Sequence, residues 1–333
     1  MVLLITGSAG FIGARLANQA LKLGHTVVGL DNLNAYYDSE LKEFRNSELI
    51  KNENYHFIHG DINDHEILFQ LGKKYDITSI YHLAAQAGVR LPPNAYNKYI
   101  HSNVTGFTEI LNFAVSEQIP NFIYASSSSV YGNTADLEFN EDSTETVPTS
   151  YYGGTKLFNE SIARVMVRNT ATRARGLRYF TVYGEMGRPD MAYFRIANAI
   201  LNNQKFTLFG NGNVRRDFTY IDDVVNATLL LGGELENRKA GYADVVNVGG
   251  GRPVSMRDLI DEISKQLGQS PEIELMAANE NDVELTKADS AKLQSLTGFT
   301  PETTIEQGIR KFLTWALLEG IRERLNSWVE SAP

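Results

Sequence analysis

A phenol and an ammonium stand four residues apart in Tyr152-Gly153-Gly154-Thr155-Lys156, a spacing that on a helix puts both on one face about one turn apart. Tyrosine, with an ordinary pKa of about 10, is a poor base at neutral pH, but a neighbouring lysine and a bound cation would both favour the phenolate. Tyr152 then becomes a usable general base. The same spacing also suits a solvated pair on an exposed helix face. What favours chemistry is the run Ala125-Ser126-Ser127-Ser128-Ser129-Val130-Tyr131-Gly132, which ends an apolar segment and offers hydroxyls where strands meet a ligand. Any one of these serines, taken singly, also reads as a turn residue.

A second constellation opens the chain. Gly7-Ser8-Ala9-Gly10-Phe11-Ile12-Gly13 follows a short apolar run and starts a helical pattern that extends toward Leu23. Gly7 permits a tight turn, Gly10 lets backbone approach a pyrophosphate, and Gly13 lets the helix pack closely on its strand. The helix start adds free N–H groups and a partial positive charge. About twenty residues on, the next apolar run ends at Asp31, whose carboxylate can accept from the ribose hydroxyls of an adenosine and would repel a 2′-phosphate. NAD is favoured over NADP. Asp61, in Gly60-Asp61-Ile62, is placed either to reach the adenine or simply to make a turn.

The elements that must position these groups follow a βα rhythm. Runs at Val2 to Thr6, Thr26 to Leu30, Tyr55 to His59, Thr78 to Leu83, Asn121 to Ala125 and Gly176 to Phe180 predict buried strands, each followed by turn residues or a helix start. They imply an α/β fold, a Rossmann-like doubly wound parallel sheet with a smaller interleaved α/β substrate-binding lobe. Beyond Tyr183 the pattern turns irregular, with helices expected near Ala192 to Asn202, from Asp222 and from Met256, and a glycine turn at Gly210-Asn211-Gly212. The division expected is 1–180 plus about 217–250 for the dinucleotide and 181–216 plus 251–333 for the substrate.

Composition agrees with a packed protein: 333 residues, 43% hydrophobic and 21% charged, without low-complexity tracts or repeats. The apolar run before Gly7 is short and lacks a basic start, so no signal peptide is expected, and no stretch is long enough to span a bilayer. Zero cysteines exclude disulfides and thiolate metal sites. The six histidines show no ligand spacing, and His82 reads as a packed residue; no metal is expected. A formal charge of −9 argues against nucleic acid and anionic membrane as partners. A cytoplasmic location is the expectation.

The chain resembles the extended short-chain dehydrogenase/reductases, and among them the UDP-glucuronate 4-epimerases. The superfamily marks are the glycine motif, His82-Leu83-Ala84-Ala85, the serine-rich strand end, the Tyr152/Lys156 pair, and Arg215-Arg216-Asp217-Phe218-Thr219-Tyr220-Ile221-Asp222-Asp223. The uronate branch is suggested by Asp31-Asn32-Leu33-Asn34-Ala35-Tyr36-Tyr37-Asp38, by Gln86-Ala87-Gly88-Val89-Arg90, and by Thr181-Val182-Tyr183-Gly184 leading into Gly187-Arg188-Pro189-Asp190-Met191-Ala192.

The resemblance implies that Tyr152 takes the proton of a sugar 4-hydroxyl, directly or through Ser127, while C4 gives hydride to NAD. The 4-ketone then receives hydride on its other face. Phe11, Ile12, Asn32, Ile62, Leu83, Ala84 and Ala85 would line the cofactor with the glycines, Asp31 and Asp61, and Lys156 would hold its ribose. Arg216 would face the diphosphate of a UDP-sugar and Asp282 the uridine. Serines stand where dehydratases carry an acidic pair and decarboxylases a glutamate, so oxidation without elimination is implied. A 4-keto-uronate can lose carbon dioxide, and an epimerase must clamp its carboxylate. Arg188 is the candidate clamp, with Thr181, Ser128 and Ser129 as neutral donors and Arg90 as a second candidate. Without the family context Arg188 reads as a surface arginine.

Other nucleotide-sugar chemistries, namely epimerisation of UDP-glucose or UDP-GlcNAc, dehydration and decarboxylation, stay open, and so does a non-catalytic NAD sensor. The resemblance further implies a homodimer pairing the helices near Asn97 to Val115 and Tyr152 to Met166. The chain departs from the family at Glu185-Met186, where a proline and a large aromatic are usual. It departs again at Gly153-Gly154, where small alanines are usual and each helical glycine costs about 1 kcal/mol. Asn279 replaces an arginine that faces the diphosphate in some hexose epimerases.

Overall fold

The computed structural model describes residues 1–88, 91–133, 138–143, 146–277 and 283–333. Its strands in chain order are β1 (Val2–Thr6), β2 (Thr26–Asp31), β3 (Tyr55–His59), β4 (Ile77–His82), β5 (Asn121–Ser127), β6 (Arg173–Tyr179), β7 (Thr181–Tyr183), β8 (Lys205–Phe209), β9 (Arg215–Tyr220), β10 (Ala243–Val248), β11 (Pro253–Ser255) and β12 (Glu272–Met276). Seven form one sheet in the order β10-β6-β5-β4-β1-β2-β3, with every neighbouring pair parallel.

Strands in such a sheet are covered on both faces, which is why they read as continuous apolar runs. One face packs with the helices Phe11–Lys22 and Ile221–Leu235; the other packs with His65–Lys74, Phe107–Ser116 and the end of Tyr151–Met166. This is the doubly wound arrangement expected. Chain order reverses between β1 and β4, so the loops leaving these two neighbours diverge and open a crevice at the carboxyl ends of the strands.

The six expected strands are present, with ends displaced by a few residues. The seventh, β10, and the early start of β6 were hidden by buried polar residues. Arg175 has no exposed side-chain surface and pairs with Glu234 at 2.6 Å and Asp244 at 2.7 Å, joining β6, β10 and the helix Ile221–Leu235. In the irregular region β9 pairs with β7 in parallel and with β11 antiparallel, and β8 pairs in parallel with β12. The expected helices are Ala192–Leu201, Ile221–Leu235 and Met256–Leu267. Among the described residues no helix is long and apolar enough to cross a membrane.

Candidate active site

The crevice at the β1/β4 switch widens into a cleft of about 920 Å³ that runs from the glycine turn to Arg216. At one end, the helix Phe11–Lys22 begins after Gly10 without a side-chain cap and without an acidic residue in its first turn, so its leading N–H groups face the cleft uncompensated. Gly7 sits at φ 71°, and a Cβ on Gly13 would lie 2.0 Å from the Gly7 carbonyl oxygen. The turn therefore needs glycine at both places. Asp31, at the end of β2, accepts from the N–H groups of Ala9 at 3.0 Å and Leu33 at 2.8 Å. Asp61 accepts from the backbone and side chain of Asn63 and from Asn32; these bonds and nearby His101 outweigh its burial and hold its pKa below the ordinary value. It thus makes a turn and lines the cleft as well.

At the centre, Ser150 caps the helix Tyr151–Met166 by accepting from the N–H of Gly153 at 3.0 Å, which puts Tyr152 in the first turn, where a helix favours negative charge. Tyr152 is half-buried, and burial raises its pKa; the positive charge of Arg188 and a hydrogen bond with Ser127 pull it back. Lys156 is buried, which draws its pKa down to about 8, and it donates to the Ala125 carbonyl at 2.8 Å. Its ammonium lies 5.7 Å from the centre of the Tyr152 ring. The charge that acts most on the phenol is therefore Arg188 rather than the helix neighbour.

Ser127, at the end of β5, accepts from the Ser129 N–H and donates to the Ser129 hydroxyl, both at 3.1 Å. Below it, Ser126 donates to Glu160 at 2.5 Å, and Arg178 clasps both oxygens of Glu160 at 2.9 and 2.8 Å. Glu160 is locked in this pair and is absent from the lining of the cleft. Gly153 explains one departure from the family: a Cβ there would lie 2.5 Å from the Ser129 carbonyl oxygen. Nothing lies within 4 Å of a Cβ on Gly154, and nothing in the structure explains that glycine.

Arg188 is buried to 24% side-chain exposure and makes a two-point pair with Asp190, at 3.0 Å from Nε and 2.5 Å from Nη2. Burial opposes its charge, but Asp190 more than offsets this and raises its pKa. Its guanidinium also lies 5.7 Å from the centre of the Tyr36 ring. Thr181, Ser128 and Arg216 line the same cleft, and Arg216 donates to the Val283 carbonyl. Every candidate residue that the structure describes lines this one cleft. Arg90, Asp282 and Asn279 lie outside the described residues. His82 is buried among Phe107 and Phe122, bonded to Thr6, and kept neutral by burial and by Lys156, with its pKa near 3. Among the described residues no group of three or more His, Asp or Glu converges to hold a metal.

Two contributors lacked a sequence signal. Asp190 sits two residues from Arg188 in a loop, where spacing says nothing about pairing. Asn103 lies in a π-helical stretch, Ile100–Gly106, which breaks helical periodicity. It bonds both the N–H and the carbonyl of Gln86 and the hydroxyl of Thr155, tying the β4 loop to the helix of Tyr152.

Residues 3–249 match the model of the NAD dependent epimerase/dehydratase family. The chain belongs to this family. Its members' NAD has a fitting seat here in the glycine cradle, the uncapped helix start and Asp31. The chain is 38% identical over 330 residues to UDP-glucuronate 4-epimerase 4 of Arabidopsis thaliana, covering 95% of this chain and 75% of that protein. It is 36% identical over 314 residues to UDP-glucuronate 4-epimerase of Thermodesulfobacterium geofontis, covering 94% and 95%. Among solved structures, UDP-glucuronic acid 4-epimerase from Bacillus cereus in complex with UDP-glucuronic acid and NAD superposes with a TM-score of 0.87 at 33% identity, covering 95% of this chain and 98% of that one. The family and branch read from the motifs are borne out.

Proposed function

We propose that this family member interconverts UDP-glucuronate and UDP-galacturonate by epimerisation at C4 through a 4-keto sugar, NAD being regenerated each turnover. The observation that carries this reading is the Arg188 guanidinium, set in the same cleft as Tyr152 and the β5 serines. The likeness to UDP-glucuronate 4-epimerases over nearly the whole chain supports it.

Tyr152 takes the proton of the 4-hydroxyl, directly or through Ser127, and returns it at the end of the cycle. Bound NAD supplies the acceptor that takes hydride from C4 and gives it back to the other face of the ketone. Lys156 holds the cofactor ribose from its place one helical turn away. Arg188, with Thr181, Ser128 and Ser129, keeps the carboxylate from aligning its bond with the ketone. Because Asp190 holds the Nε edge, the carboxylate meets the remaining N–H groups. Among the described lining residues the acidic side chains are Asp31, held by the N–H groups of Ala9 and Leu33, Asp61, held by Asn63 and Asn32, and Asp190, paired with Arg188. This leaves no free acid to expel a hydroxyl, which favours epimerisation over dehydration. Arg216 faces the diphosphate, and Asp282 and Arg90 complete the sugar-nucleotide site.

The substrate lobe in this proposal is 181–216 with 251–333, and the cofactor lobe is 1–180 with about 217–250. The enzyme works in the cytoplasm as a homodimer, supplying a uronate for polysaccharide synthesis. The exposed Phe158 and Val165 on the helix of Tyr152 suit such a helix pairing. Purified protein incubated with UDP-glucuronate and no added NAD is expected to yield UDP-galacturonate on chromatography. Release of carbon dioxide and a UDP-pentose instead would overturn the proposal.

A further inference from the structure

Arg45 is a buried cation that no step above uses. It lies on the helix Ser39–Ile50 with 2% of its surface exposed. Its Nε and Nη2 both donate to the Met186 carbonyl, at 2.9 and 2.6 Å, and Nη2 also donates to the Gly187 carbonyl at 3.0 Å. Its Nη1 donates to the Ala9 carbonyl at 3.2 Å and to the Tyr37 hydroxyl at 2.6 Å. A guanidinium offers five N–H donors in one rigid plane, and these bonds use that whole fork. Every acceptor is an uncharged oxygen. Burying a cation against neutral groups alone is costly, so its acceptors are where its purpose should show.

They belong to the two loops that matter most. Ala9 lies inside the glycine turn, and its N–H donates to Asp31. Met186 and Gly187 directly precede Arg188. Met186 adopts φ 56°, a left-handed conformation that disfavours a side chain. That turn is held on all sides: Arg45 takes the Met186 and Gly187 carbonyls, Tyr193 donates to the Gly184 carbonyl at 3.1 Å, and Tyr220 donates to Glu185 at 2.7 Å.

We propose that Arg45 is a positioning residue of the uronate site, fixing the 184–188 turn against the glycine turn so that the Arg188 guanidinium is presented to the substrate carboxylate. This rests on the reading of Arg188 as the carboxylate clamp. The two loops then form one unit, and cofactor seated on the glycine turn stiffens the turn that carries Arg188.

The test uses the full chain with NAD bound, as Arg45→Met and Arg45→Lys. Lysine keeps the charge but brings its donors from a single point, and it keeps the test alive if the methionine variant does not fold. Amide hydrogen exchange across 184–188 is expected to quicken about tenfold or more in both variants while the central sheet stays protected. Unchanged exchange there overturns the proposal, and this readout needs no substrate. By calorimetry, the Kd for UDP-glucuronate is expected to rise about tenfold while the Kd for UDP stays within about twofold. Equal weakening of both would show a merely structural role and overturn it. In an Arg188→Ala background, Arg45→Lys is expected to add nothing to the Kd for UDP-glucuronate, and additive losses overturn the proposal. If Arg188→Ala alone leaves that Kd unchanged, the clamp reading fails and the proposal fails with it. Clamp intact but additive losses mark the failure of Arg45 alone.

Discussion

Burial holds the Tyr152 phenol above its ordinary pKa, and the Arg188 guanidinium acts against that rise. Taking the guanidinium away must therefore push the phenol higher still. Because the base works ionised, kcat/KM climbs as pH rises through its pKa, and Arg188→Ala should move that climb to higher pH. A pH profile carried from about 8 to about 11 measures it; a limb that stays put or moves to lower pH would remove Arg188 from the electrostatics of the base. Tyr152→Phe should lose at least about a hundredfold in turnover while still binding nucleotide. At this scale the Tyr/Lys spacing and the acid at Asp31 were legible, because both are set by regular elements. The pairing of Arg188 with Asp190 was not, since a loop carries no period from which contacts can be inferred.

The helix Tyr151–Met166 shows how an element decides what its residues can do. Its two adjacent glycines look alike in sequence but not in space. Gly153 faces the Ser129 carbonyl, a rigid backbone atom at 2.5 Å from any added Cβ, whereas Gly154 faces open space. Gly153→Ala should cost about 1–3 kcal/mol and disturb the Ser127–Ser129 segment. Gly154→Ala should instead stabilise the protein by about 1 kcal/mol, the ordinary helical preference for alanine. Urea unfolding of the two variants tests this, and a gain from Gly153→Ala would contradict the close approach. The strands β1 to β5 were legible for a related reason: each carries a run of apolar residues that packs into the core. Where buried charge enters, as with Arg175 near the start of β6 and its partner Asp244 on β10, the apolar signal fails, and the start of β6 and the whole of β10 show only in the packed structure.

Across the whole molecule, the cleft draws on segments from Gly7 to Pro333, and this interleaving was legible only as irregularity after Tyr183. The molecule carries a formal charge of −9, while its proposed substrate is an anion with a diphosphate and a carboxylate. A lone Arg188 would attract that carboxylate from afar. Paired with Asp190, it presents a local dipole whose field fades within a short distance, leaving the overall repulsion in charge of the approach. The association rate constant for UDP-glucuronate should therefore rise as salt is raised from about 20 to about 200 mM, since screening removes repulsion. Stopped-flow mixing would show it, and a falling rate would mean that a basic field guides entry. The acid is then distinguished after arrival, by how long the complex lasts rather than how often it forms.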